Sequence, residues 1–190
     1  MSAPRGPYAK SSAKREQILR AALEIYAEAG SRKVSVRDIA KRVGMTDTGV
    51  LHHFGSRENL LTAVLEARDA IGAETYGDTL SDASAGAKLL AANVSTPGLV
   101  KLFLDVAAAA AEPEHPAHDY FVERYARLRR EVAARLADLP AAGDAGEIDR
   151  ARAARILIAA VDGLQIQWLL EPEIDMAADL AALHRLLTGA

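Results

Sequence analysis

The stretch VSVRDIAKRVGMTDTGVLHHFGSRENLL, Val34 to Leu61, decides how the rest of the chain is read. Its first part, Ser35 to Val43, sets Val36, Ile39, Ala40 and Val43 on one side of a helical period and Arg37, Asp38, Lys41 and Arg42 on the other. Gly44 stops that helix, Thr46 can cap a second one running to about His53, and Gly55-Ser56 breaks the chain again. Two short helices joined by a glycine-containing turn make a helix-turn-helix. The second helix must be slim and exposed enough to lie in a major groove about 12 Å wide. Thr46, Asp47, Thr48, Gly49, His52 and His53 offer small or polar groups for that face, while Val50 and Leu51 point back to a core. Glycine inside a helix costs about 1 kcal/mol relative to alanine, so Gly49 serves something other than helix stability.

Working outward, nearly every periodic segment reads as helix. Before the motif, Ser12 to Ala29 presents Ile18, Ala22, Ile25, Tyr26 and Ala29 on one face, with Ser11 or Ser12 as cap and Gly30 as stop. After it, helices are predicted over 57–76, 82–93, 97–112, 116–139, 147–170 and 176–188, with Ser56 and Asp175 as caps. The segment Glu112 to Pro116 is a turn, and 140–146 a loop. No alternating β-pattern is found, so the expected fold is all-α: an N-terminal three-helix DNA-binding head, then a larger helical bundle. The predicted division is a basic tail over 1–11, the helix-turn-helix domain over 12–56, and a second domain over 57–190.

The composition fits this. The chain has 190 residues, 50 % hydrophobic and 26 % charged, which suits a folded chain of one or two domains. It has no cysteine, which removes disulfides, thiolate catalysis and cysteine-based zinc sites. Uninterrupted apolar runs such as Val106 to Ala111 fall well short of the roughly 18 residues a membrane span needs, and no apolar stretch backs the basic N-terminus as a secretory signal would. A soluble, cytoplasmic protein without membrane partners is expected. The net charge of −3 hides an asymmetry: residues 1–60 carry 11 Lys and Arg against 6 Asp and Glu, and the remainder is acidic. A basic head on an acidic body fits one part meeting a polyanion.

The quoted stretch resembles the signature of the tetracycline-repressor (TetR) family of bacterial transcription regulators, and REQILRAALEIYAEAG before it resembles that family's first helix. Ala159 to Leu180 is similar to the region through which many such regulators dimerise. The resemblance implies a homodimer that binds a palindromic operator in double-stranded DNA, most simply a repressor released by a small-molecule effector. It places Thr46, Thr48, Gly49, His52 and His53 on the recognition helix, Ser35 and Arg57 on phosphates, and Arg37 as a further backbone contact. One position departs: Leu51 stands where the family usually has a tyrosine, so a phosphate contact is lost or moved to His52 or His53.

In the acidic body, Ala160, Gly163, Leu164 and Gln167 form a small-residue face, and Leu180, Leu183 and Leu187 an apolar stripe; these are the expected dimer contacts, although such stripes also face a subunit's own core. The expected effector pocket draws on Phe103, Tyr120, Phe121, Tyr125, Leu164 and Trp168, which points to a largely apolar ligand. Coupling would run through the helix over 57–76. An enzyme is disfavoured: His115-x-x-His118 sits in a proline-broken turn without metalloprotease spacing, and neither a GxSxG nor a glycine-rich phosphate loop is present. No cofactor or metal is expected. A helical ligand-binding adaptor that does not bind DNA specifically is the rival reading.

Overall fold

In the computed structural model, residues 7–30, 33–76, 90–137 and 149–188 are described. Among them every regular element is a helix: α1 (Pro7–Ala29), α2 (Val36–Arg42), α3 (Asp47–His52), α4 (Arg57–Tyr76), α5 (Pro97–Ala109), α6 (His118–Ala137), α7 (Arg150–Leu170) and α8 (Met176–Thr188). The chain forms two compact units, Met1–Glu74 with Thr96–Ala117, and Thr75–Ser95 with His118–Ala190.

Most boundaries follow the local signals. Ser35, Thr46 and Asp149 cap α2, α3 and α7, and Asp175 Oδ1 accepts from the Ala178 amide at the start of α8. Four boundaries differ from the sequence expectation. The first helix begins at Pro7, not at Ser11 or Ser12, because proline suits the first helical position where an N–H is unused anyway. The fifth ends at Ala109, and the sixth starts at His118 instead of Pro116, so the intervening turn is longer than expected. His115 Nδ1 accepts from the Ala117 amide at 3.1 Å there, bracing the turn. The helix expected from 147 starts at Arg150, behind its Asp149 cap. Residues 90–94 are helical; the rest of the helix expected over 82–93 and the loop over 140–146 lie outside the described residues.

The first unit is built around the apolar face of α1. Ile18, Ala22, Ile25 and Tyr26 are buried with Ile39, Ala40, Val50, Phe54, Leu60 and Val64, while α5 adds Leu99, Val100, Leu102, Phe103 and Val106. Val50 is fully buried, worth about 2 kcal/mol of transfer free energy, and it anchors α3 by one face while leaving the other to solvent. In the second unit, Leu136, Ala153, Ala154 and Leu157 form a cluster against which Val132, Ala133, Leu180, Leu183 and Leu187 pack.

Candidate nucleic-acid interface

The turn between α2 and α3 depends on Gly44, whose φ of +66° lies in the left-handed region that a side chain disfavours. Each helix start is closed locally. The Ser35 amide and hydroxyl donate to Asp38 Oδ2 at 2.9 and 2.8 Å, and the Asp38 amide donates back to Ser35 Oγ at 3.3 Å, a complete capping box. Thr46 Oγ1 accepts from the Gly49 amide at 3.0 Å. A Cβ on Gly49 would lie 3.1 Å from Thr46 Oγ1 and 3.3 Å from Met45 Cε, so the glycine keeps this cap tight. Thr46→Ala is expected to cost about 1 kcal/mol, read as a lower denaturant midpoint with unchanged slope; no change would mean the cap is idle.

With Val50 held inside, α3 exposes Thr46, Asp47, Thr48 and His52, whereas Gly49, Leu51 and His53 are half-buried. The two imidazoles stand edge to face with centroids 6.1 Å apart. Asp47 has no hydrogen-bond partner among the described residues; its charge suits the helix start. Leu51 packs, as its apolar side chain requires.

The cations of the first unit fall into two sets. Arg15 donates through Nη1 to the His53 carbonyl and stacks 4.2 Å from the Phe54 ring centroid, bracing the end of α3 from α1. Arg42 pairs with Glu28 at 2.7 Å and Glu24 at 3.4 Å, tying α2 to α1. In contrast, Lys33, Arg37, Lys41 and Arg57 are exposed and have no ion pair or hydrogen bond among the described residues. Arg37 and Lys41 are one turn apart on α2 and form a single ridge. Arg57 opens α4 and borders a groove of about 530 Å³ with Tyr26, Lys33, Leu61 and Lys101.

The residues expected to meet an effector are divided between the units. Phe103 belongs to the first unit, where Arg68 lies 5.8 Å from its ring centroid. The other five belong to the second. Tyr120 and Phe121 meet edge to face at 5.0 Å, Phe121 and Tyr125 at 6.1 Å, and the Tyr125 hydroxyl donates to Asp162 Oδ2 at 2.7 Å. Burial pushes the Asp162 carboxyl above the usual carboxylate range, although the Tyr125 hydrogen bond and Arg124 pull the other way. Burial likewise raises the Tyr125 phenol, helped by its bond to Asp162. On α7, Trp168 is buried and Leu164 half-buried.

The residues expected at a dimer contact also divide. Leu180, Leu183 and Leu187 pack on the unit's own cluster. Along α7, in contrast, Ile156, Ala159, Ile166, Gln167 and Leu170 are exposed, and a Cβ on Gly163 would meet nothing within 4 Å. Leu170 and, on α8, Leu186 are 77 % and 83 % exposed. An 18-residue window of α7 has mean hydropathy 1.3 with 28 % of it buried, so α7 is long and apolar enough to cross a membrane by length and composition alone. The uninterrupted runs noted above did not reveal this, because single polar residues punctuate a helix that is apolar on average.

Residues 18–64 match the family described as bacterial regulatory proteins, tetR family, and residues 84–189, more than half of the chain, match the BetI-type transcriptional repressor C-terminal region. The chain belongs to the TetR family. It is 37 % identical over 54 residues to the HTH-type transcriptional repressor KstR2 of Rhodococcus jostii (strain RHA1), covering 28 % of this chain and 26 % of that protein. The chain thus matches only about a quarter of the length of this curated relative. Among solved structures, the Thermus thermophilus FadR, a TetR-family repressor in complex with lauroyl-CoA, is 19 % identical with a TM-score of 0.61, covering 91 % of this chain and 92 % of that one. NalD of Pseudomonas aeruginosa, the secondary repressor of the MexAB-OprM multidrug efflux pump, is 19 % identical with a TM-score of 0.57, covering 93 % and 95 %. At these identities the likeness shows the fold. As a TetR-family member, the protein is a DNA-binding transcriptional regulator of helix-turn-helix type.

Several residues of this TetR-family chain escaped the sequence reading. Ser35, expected at a phosphate, also closes a capping box with Asp38, which its three-residue spacing permits. Arg15 gave no local signal, because its partners are 38 and 39 residues away. The exposure of Ile166, Leu170 and Leu186 depends on which helix face the neighbouring helices leave uncovered, and periodicity alone cannot choose that face.

Proposed function

We propose that the protein is a homodimeric repressor that reads a palindromic operator with two α3 helices and is released by a small, largely apolar effector. The observation that carries this reading is the exposed polar face of α3 beside a set of uncompensated cations. Thr48, Gly49, His52 and His53 meet base edges, while Arg37 and Arg57 hold phosphates. Ser35 and Thr46 first fix the helix starts, and they reach phosphate only with what their caps leave free.

One head reads a few base pairs, and pairing on a two-fold axis supplies the rest of the affinity. The outward row of α7, with Ala160, Gly163, Leu164 and Gln167 beside Ile166 and Leu170, supports a helix-on-helix contact with a second copy, to which Leu186 adds. That contact explains the apolar exposure of α7 without a membrane. Leu170→Asp is expected to leave a folded chain whose sedimentation shows half the mass of the wild type, with DNA affinity about 100-fold weaker. A wild-type chain that already sediments as a monomer at micromolar concentration rules out the pairing.

The aromatic row Tyr120, Phe121 and Tyr125, tied to α7 by the Tyr125–Asp162 bond, supports an apolar effector site in the second unit with Leu164 and Trp168. The lauroyl-CoA bound by the Thermus thermophilus relative supports a ligand with an apolar part. Coupling runs along α4, which contributes residues to both units. The protein acts in the cytoplasm and catalyses no reaction. A mobility-shift titration on random duplex DNA tests the reading: retention must fall steeply with added salt, whereas a helical adaptor retains no DNA.

A further inference from the structure

The inward face of α7 runs through Ala154, Leu157, Gln165 and Trp168, and Gln165 is the one polar residue among them. It is 4 % exposed, and its Oε1 has no hydrogen-bond partner among the described residues. A leucine would fill similar space without an orphaned acceptor, so the unpaired amide oxygen costs the unliganded protein stability. One turn earlier, Asp162 accepts from the Tyr125 hydroxyl with Oδ2 alone. Its second oxygen has no protein partner among the described residues. Asp162 and Gln165 are i and i+3 on one helix and therefore neighbours. They add two spare acceptors to the aromatic row of Tyr120, Phe121 and Tyr125.

We propose that Tyr125, Asp162 and Gln165 form the polar end of the effector site, and that they select an uncharged apolar molecule carrying an O–H or N–H donor over an anion. This rests on the effector reading above and specifies its chemistry. A ligand O–H or N–H can donate to Gln165 Oε1 or to the free oxygen of Asp162. A carboxylate or phosphate offers no proton to either oxygen and adds a negative charge beside Asp162, which is a cost against the wrong ligand. Arg124, 5.8 Å from the Tyr125 ring centroid, partly offsets the Asp162 charge. The raised proton affinity of Asp162 agrees with a partly desolvated carboxyl awaiting a partner.

The experiment compares 1-octanol, octanoate and methyl octanoate at equal concentration, reading the melting temperature of the full chain and its retention of a selected DNA fragment. Octanol is expected to raise the melting temperature and release DNA, with octanoate and the donorless ester much weaker. Gln165→Leu without additive is expected to melt about 2–4 °C higher than wild type and to lose the octanol shift. Asp162→Asn, which keeps an acceptor oxygen and removes the charge, is expected to narrow the gap between octanol and octanoate. A larger shift with octanoate, no shift with octanol, or a Gln165→Leu chain that melts lower than wild type overturns the proposal. Failure of the additive-free protein to retain DNA would refute the regulator reading instead, and the melting comparison would still decide the ligand class.

Discussion

Replacing Gly98 by alanine is expected to lower the melting temperature by about 6–12 °C, corresponding to about 3 kcal/mol of overpacking. Gly98 is buried in the first turn of α5, where a Cβ would lie 2.1 Å from the Tyr26 carbonyl oxygen and 2.9 Å from that of Gly30. Both obstacles are backbone at the end of α1, so no side chain can swing aside. Alanine's better helix propensity returns at most about 1 kcal/mol, and the clash wins. Gly72 provides the control. It lies within α4 with nothing within 4 Å of a would-be Cβ, and Gly72→Ala is expected to raise stability by about 1 kcal/mol. If both variants melt alike, the close approach of α5 to α1 is not what this packing implies. Because α1 also carries Arg15 to the end of α3, loosening its far end at Gly98 should weaken DNA binding beyond the loss of folded protein.

The second large effect concerns DNA. Combined replacement of Thr48, His52 and His53 by alanine is expected to lower the ratio of specific to non-specific affinity by about 100-fold or more, since each base contact contributes about 1–3 kcal/mol of discrimination. The salt dependence of what remains should hardly change, because these side chains release no counterions when neutral. Arg57→Ala should act the other way. It should weaken binding to every sequence similarly and reduce the salt slope by about 1, with the preferred sequence intact. Competition between a selected fragment and random duplex, repeated at several salt concentrations, measures both quantities. Indistinguishable behaviour of the two variants would erase the division into base readers and phosphate holders.

Much of the first unit is legible in the sequence. The helix-turn-helix rests on local rules: a capping threonine, a glycine at positive φ and a short apolar face that must be buried. Each acts within a few residues, which is why Thr46, Gly44 and Val50 take the places their types demand. The cations were harder. Arg15, Arg37, Arg42 and Arg57 look alike in sequence, and only the fold shows that Arg15 and Arg42 are engaged by His53, Glu24 and Glu28. The second unit was least legible. Leu180, Leu183 and Leu187 share one face of α8, and that face meets Leu136, Ala153, Ala154 and Leu157 in the same chain. Ile166 and Leu170 lie on the opposite side of α7 from Gln165 and Trp168, so the uncovered face was set by where α6 and α8 dock. Gln165 was invisible because a glutamine in a helix is ordinary until its burial is known.

Selection of duplex fragments from a random pool by the purified full-length chain, followed by sequencing, tests most directly whether α3 reads DNA in pairs. The enriched fragments should share an inverted repeat whose half-sites lie about one helical turn (roughly 34 Å) or more apart, and should be lost when Thr48, His52 and His53 are replaced. A pool with no common sequence, or one sharing a single unpaired half-site, would contradict it.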